Sequence, residues 1–173
     1  MEYRLPEITD QDALEEYIAE HYSNGESEIH ASNMLASMDY DEWVKKVKRN
    51  LIEPDKDWGR SYTYLAIDKG TIIGLLNIRP ELSAEMQMKY GNIGYGVRPS
   101  KRKMGYATQM LQFAIAKCKE IGMKEVILGC YKSNEASART ILKNAGRLVK
   151  ENAEDGEISQ YYEIEIQKEI GER

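Results

Sequence analysis

Two apolar runs separated by three residues limit what this chain can fold into more than any other feature. Residues 61–67 and 71–78 are rich in Tyr and β-branched side chains, and Asp68-Lys69-Gly70 lies between them. That pattern reads as an antiparallel hairpin with a tight turn. Upstream the pattern is helical. A helix begins near Thr9-Asp10, where Thr9 and Asp12 have capping-box-like spacing and Leu14, Tyr17 and Ile18 form an apolar stripe. Met34, Leu35 and Met38 suggest a short helix inside a polar stretch. Asp41 opens another, in which Trp43, Val44, Val47 and Leu51 share a face before Pro54 and Gly59 end the region.

Downstream, a polar loop at 80–89 leads to a strand over 90–97 and a helix over 105–121 that Gly122 stops. A short buried strand follows at 126–130, then a helix over 134–145 that Gly146 stops. Two last strands, 147–153 and 158–166, flank the turn Glu154-Asp155-Gly156. This order predicts an α/β (α+β) fold: a mixed, mostly antiparallel sheet of six to seven strands flanked by helices. One strand–helix–strand unit at its centre should hold its strands parallel.

The 173 residues suit a single domain, and no repeat or linker divides them. With 24 basic and 29 acidic residues the net charge is −5, which disfavours a general nucleic-acid or membrane binder but permits a local basic patch. No run of ~18 apolar residues spans a bilayer, and Met1-Glu2-Tyr3-Arg4-Leu5-Pro6 has no apolar signal region. The expectation is a cytoplasmic protein whose Cys118 and Cys130 stay reduced. His21 and His30 lack metal-ligand spacing, so no metal is expected, and no Gly-x-Ser-x-Gly elbow occurs.

Chemistry concentrates at residues 93–108. A strand ends near Val97, a helix starts near Gly105, and Arg98, Lys101, Arg102 and Lys103 crowd the connection without an acidic residue among them. A helix start offers unpaired N–H groups and partial positive charge, and glycine lets backbone approach a ligand closely, so the junction suits a phosphate or pyrophosphate. It is not a Walker loop, because Val97 stands where the lysine belongs. It is not the dinucleotide fingerprint, because Pro99 follows Gly94-x-Gly96 out of pattern.

What remains, Arg102-x-x-Gly105-x-Ala107 between strand and helix, resembles the acyl-coenzyme-A loop of the GNAT superfamily of N-acyltransferases, whose pattern is Gln/Arg-x-x-Gly-x-Gly/Ala. Asn134-Glu135-Ala136-Ser137, opening the next helix, is a second match. The resemblance covers about residues 61–166, as the sheet and cofactor core of one domain spanning 1–173. Residues 1–60 resemble the family only in being helical, and would form the acceptor side. The two tracts look closest to a bacterial group of predicted acetyltransferases.

The resemblance implies direct transfer of an acetyl group from acetyl-coenzyme A to a small-molecule amine or a protein amino group. It implies cofactor contacts from Tyr95, Val97, Arg102, Lys103, Met104, Gly105, Tyr106, Ala107, Thr108, Asn134 and Ser137. The pantetheine arm would lie along the strand ending at Val97, and the pyrophosphate on amides around 103–108. A homodimer is a superfamily habit.

The catalytic positions depart from the family. Many members place a tyrosine acid seven residues after the motif asparagine, where this chain has Ile141. Tyr131, just after the short strand, could substitute, water is another proton source, and a thiolate, with a thiol pKa near ~8.5, could also leave without a strong acid. Asn92 occupies the strand position that often carries an acidic or histidine side chain, and could orient a water. Glu81 and Glu85 are the nearest carboxylates in sequence. Trp58, Tyr62 and Tyr64 could wall the acceptor pocket, as could Tyr161 or Tyr162. The acidic end from Glu151 to Glu172 would favour a cationic acceptor. The competing readings are a non-catalytic acyl-coenzyme-A binding or sensing domain and an unrelated phosphate-ligand module.

Overall fold

The computed structural model describes residues 1–154 and 156–166. The hairpin is present as expected. Strand β2 (Tyr62–Asp68) pairs antiparallel with β3 (Thr71–Ile78), and Lys69 and Gly70 both take positive φ, 49° and 78°. Two left-handed central residues define the turn whose twist matches paired strands. On the outer side β2 pairs with β1 (Glu2–Arg4), too short for an alternating pattern to reveal. On the other side β3 pairs with β4 (Ile93–Val97).

Both faces of this first sheet are covered, which is why its inner strands are apolar throughout. One face packs Leu65, Ile67, Ile72 and Leu75 against α1 (Gln11–Ser23) and α2 (Tyr40–Arg49), through Leu14, Tyr17, Trp43, Val44 and Val47. The other packs Ala66, Leu76, Ile78, Ile93 and Val97 against α4 (Tyr106–Ile121), whose Met110, Leu111, Ala114 and Cys118 lie on one stripe. A short helix α3 (Ala84–Tyr90) precedes β4. A second antiparallel sheet has the order β5-β7-β6, from β5 (Glu125–Tyr131), β6 (Arg147–Glu154) and β7 (Glu157–Glu165), with α5 (Glu135–Lys143) after β5.

Several expectations are corrected. Among the described residues seven strands form, but as an antiparallel sheet of four and another of three. The expected parallel pairing of β4 with β5 does not become a ladder among the described residues. The stretch expected as loop and strand over 80–92 contains α3, which buries no side chain and so leaves no periodic stripe to read. The capping box at the first helix is built by Glu7 and Asp10 on a preceding 3-10 turn rather than by Thr9 and Asp12. Asp39, not Asp41, caps α2. At the end of α5 the left-handed residue is Ala145, at φ 62°, rather than Gly146. Gly146 is required for a different reason: a Cβ there would sit 2.3 Å from Ile141 Cγ2. The predicted turn through Asp155, and Glu169 and Glu172 of the acidic end, lie outside the described residues.

Candidate active site

Strands β4 and β5 meet at one point. Asn92 donates its main-chain N–H to the Ile127 carbonyl at 2.7 Å, and its side-chain oxygen accepts the Ile127 N–H at 2.8 Å. The same oxygen accepts from Gln87, while the amide nitrogen donates to the Arg79 carbonyl. Asn92 is 1% exposed and pins the vertex of a split between the two sheets. This departs from its sequence assignment: its amide is taken up by the Ile127 and Arg79 backbone and the Gln87 side chain rather than turned toward a catalytic water.

Past the vertex, β4 presents two faces. Ile93, Tyr95 and Val97 turn toward α4 and α5. Gly94 and Gly96 turn toward a strap, residues 24–34, that follows α1. A Cβ on Gly96 would lie 3.1 Å from the His30 carbonyl, and one on Gly94 would lie 3.6 Å from Ala31. Glycine at these positions lets the strap lie directly on the strand. Three non-glycine residues of the strap, Ala31, Asn33 and Met34, hold positive φ, a concentration of backbone strain beside the split.

Across the split the Tyr95 hydroxyl and Ser137 Oγ, from β4 and the first turn of α5, are 2.9 Å apart. Burial pushes the Tyr95 hydroxyl up to about 12 and also raises the Cys130 thiol. Asn134 accepts the Ser137 N–H at 3.1 Å, so its oxygen is an N-cap. Tyr131 lies at the end of β5, 55% exposed, with no hydrogen bond to its hydroxyl among the described residues. Ile141, in the slot where a tyrosine was expected, is packed in the core.

The basic connection divides in two. Arg98 is buried, donating to Glu20 at 2.8 Å and to the Ile72 carbonyl at 3.1 Å. Arg102 donates from Nε to the Val97 carbonyl and from both terminal nitrogens to Glu26, which lies in the strap. These ion pairs tie the connection to α1 and the strap. The Arg102 side chain is therefore an internal anchor rather than a free anion contact, a correction invisible in sequence because its partner is 76 residues away.

The backbone is what remains open. Lys103 and Gly105 take φ of 62° and 82° with Met104 between them at negative φ, the alternating handedness that gathers successive N–H groups into an anion-binding concavity. Gly105 is the N-cap of α4 and supplies no capping side chain, so the first-turn amides from Tyr106 to Thr108 lack a side-chain acceptor. A Cβ on Gly105 would meet nothing within 4 Å. The concavity is open, and Lys103 and Met104 beside it are exposed. Tyr106 turns its hydroxyl away to Asp68, at 2.8 Å.

The remaining candidates are dispersed. Glu81 accepts from Arg60, whose guanidinium hydrogen bond holds the carboxyl below its ordinary range, and it borders Gly59 rather than the split. Glu85 lies in the first turn of α3. The proposed aromatic wall separates: Trp58 packs on Tyr90, whereas Tyr64 meets Phe113 of α4. Tyr161 and Tyr162 are both buried. Among the described residues no cluster of three or more His, Cys, Asp or Glu is arranged to hold a metal ion, and no helix is long and apolar enough to cross a membrane.

Comparison with known proteins follows from this geometry. Residues 30–146 match the acetyltransferase (GNAT) family. A search of curated protein sequences finds no match. Among solved structures, the yncA protein of Salmonella typhimurium, solved with its cofactor acetyl-CoA, superposes with a TM-score of 0.66 at 14% identity, covering 98% of this chain and 96% of that one. The ribosomal L7/L12 α-N-protein acetyltransferase RimL, in complex with coenzyme A, gives 0.66 at 18% identity, covering 95% and 93%. A GNAT acetyltransferase from Streptococcus pneumoniae gives 0.68 at 15% identity, covering 96% and 99%.

Proposed function

Because the chain belongs to the acetyltransferase (GNAT) family, with acetyl-coenzyme A as its co-substrate, we propose that it transfers the acetyl group to the primary amine of a small molecule or protein. The observation that carries this reading is the open backbone concavity at residues 103–108 lying at the end of β4, beside a split that β4 and β5 close only at Asn92. The pyrophosphate takes the amides of the concavity, with Lys103 supplying charge. The pantetheine arm lies in the split along β4, where the strand edge offers backbone hydrogen-bonding groups. The residues fit the cofactor without rearranging Arg98 or Arg102, because the anion site is built from N–H groups.

The reaction needs a neutral amine, a place for the negative charge that develops on the thioester oxygen, and a proton for the departing thiolate. A β4 amide near 95–97 serves the oxyanion. Holding amine and thioester together contributes much of the rate. The proton comes from the Tyr95–Ser137 pair, which spans the split, rather than from exposed Tyr131. With its hydroxyl pushed up to about 12, Tyr95 is protonated throughout the working range and can replenish Ser137. As the amine nitrogen bonds to the carbonyl carbon, the C–S bond breaks, sulfur takes a proton from this pair, and the nitrogen releases one to solvent.

An amine-acceptor screen read by free-thiol release tests the function. Turnover with at least one amine is expected, with Gly105→Glu abolishing it by placing a carboxylate in the anion site. Acetyl-coenzyme A should raise the melting temperature where ATP and NAD do not. Binding without turnover on any amine would leave the sensing-domain reading in its place.

A further inference from the structure

Beside the strap-facing side of β4 lies a cation that has no counter-ion among the described residues. Arg79 follows β3 and donates from Nε to the Gly91 carbonyl at 3.2 Å and from Nη2 to the Tyr90 carbonyl at 3.0 Å, at the end of α3. Its guanidinium lies 5.9 Å from the centre of the Trp58 ring, and Trp58 packs on Tyr90 at 4.8 Å. Burial pulls its pKa down to about 10, so it stays charged at neutral pH in surroundings that disfavour the charge. Among the described residues no carboxylate is in ion-pair range of Arg79. Arg4, Arg60, Arg98, Arg102 and Arg147 are each paired, with Asp10, Glu81, Glu20, Glu26 and Glu163. The carbonyls at the end of a seven-residue helix offset only part of a desolvated charge.

Its place in the fold gives this cation a use. A Cβ on Gly94 would be 3.6 Å from Arg79 Nη2 and equally 3.6 Å from Ala31 Cβ. The guanidinium edge, the strained strap and the glycine face of β4 thus meet at one spot. That spot is one residue from Tyr95 and on the opposite face of the strand from the Tyr95–Ser137 pair.

We propose that Arg79 determines acceptor specificity by binding a carboxylate carried by the amine, so that the substrate class is a small amino acid rather than a simple amine or polyamine. This rests on the acetyl-transfer function proposed above. Gly94 is one to three residues from the amides assigned to the oxyanion, roughly 3–10 Å along a strand. That spacing suits a molecule whose amine and carboxylate are a few bonds apart. The planar guanidinium, fixed by two carbonyls and an aromatic face, is already oriented for a bidentate carboxylate. The acidic end of the sequence suggested the opposite preference, for cationic acceptors, and the two are separable by experiment.

The test uses the full chain and matched pairs of acceptors, free amino acids against their carboxamides, with a polyamine as a third arm and thiol release as readout. The wild-type protein should favour the free acids by at least about tenfold in kcat/KM, the size expected for a charge-assisted bidentate contact. Arg79→Met should bring that ratio to within about twofold of unity, leaving the KM for acetyl-coenzyme A and its thermal shift unchanged. Arg79→Lys, which keeps the charge but loses the fork, should reduce the ratio severalfold and provides the answer if Arg79→Met does not fold. A wild-type enzyme indifferent to the carboxylate, or preferring the polyamine, overturns the assignment while leaving acetyl transfer intact. A ratio unmoved in Arg79→Met and Arg79→Lys reduces Arg79 to a helix cap. Absence of turnover with every amine removes the proposed function and this assignment together.

Discussion

Replacing Glu26 by Gln should loosen the connection between β4 and α4 and the strap at once. Glu26 accepts from both terminal nitrogens of Arg102, from His21 Nδ1 at 2.6 Å and from Asn24 at 2.9 Å. Hydrogen bonding from Arg102 is the largest influence holding its carboxyl at about 2 instead of 4.5, with His21 and Asn24 adding to it against the cost of burial. That difference sets a ceiling of roughly 3 kcal/mol. The Glu26 side chain is 23% exposed and that of Arg102 41%, so solvent screening brings the realistic loss to about 1–2 kcal/mol. For a chain of this length each kcal/mol is worth roughly 2–4 °C, giving a fall of ~2–8 °C. The sign with pH is fixed. A depressed carboxyl stabilises fully above its unfolded value of 4.5, and the contribution is lost as pH falls toward 2. Urea unfolding of wild type and Glu26→Gln at pH 7, 4 and 3 measures it. The two should differ most at pH 7 and converge on acidification, with acetyl-coenzyme A affinity reduced severalfold in the variant. Equal stability at pH 7, or a gap that does not shrink in acid, would refute the reasoning.

Three further changes test other joints. Asn92→Ala strips partners from the buried Ile127 N–H and the Arg79 carbonyl, so it should cost about 2–4 kcal/mol in chemical denaturation. A stable Asn92→Ala with activity lost would return this residue to catalysis. Ala145→Gly relieves a left-handed alanine and should stabilise by roughly 0.5 kcal/mol after glycine's entropic cost, a melting rise of ~1–2 °C. Ser137→Ala should lower kcat by roughly tenfold to a hundredfold with little change in the acetyl-coenzyme A KM, most severely for amines that leave thiolate expulsion rate-limiting. An unaltered kcat would send the search for the proton source elsewhere.

The parts of this fold that a single segment specifies were legible in the sequence. Lys69-Gly70 dictates its turn through positive φ, and the stripe Met110, Leu111, Ala114, Cys118 dictates α4. The strand-to-helix junction at 97–106 was legible for the same reason: a strand end, a glycine and a helix start are adjacent in the chain. What failed were assignments that depend on partners far away. Arg102 looked like an anion ligand until Glu26 was found beside it, and Asn92 looked like a catalytic position until Ile127 and Arg79 took up its amide. Arg79 gave no signal, because neither its approach to Gly94 nor the lack of a carboxylate beside it among the described residues can be read along the chain. The Tyr95–Ser137 contact joins residues 42 apart, too far along the chain for a local pattern to show it.

Amide NMR of the protein titrated with acetyl-coenzyme A tests the central claim most directly. The N–H signals of residues 103–108 should show the largest shifts and gain protection from exchange, with a second group along β4 at 94–97. Saturable binding that leaves the 103–108 amides unmoved while perturbing another surface would contradict the account.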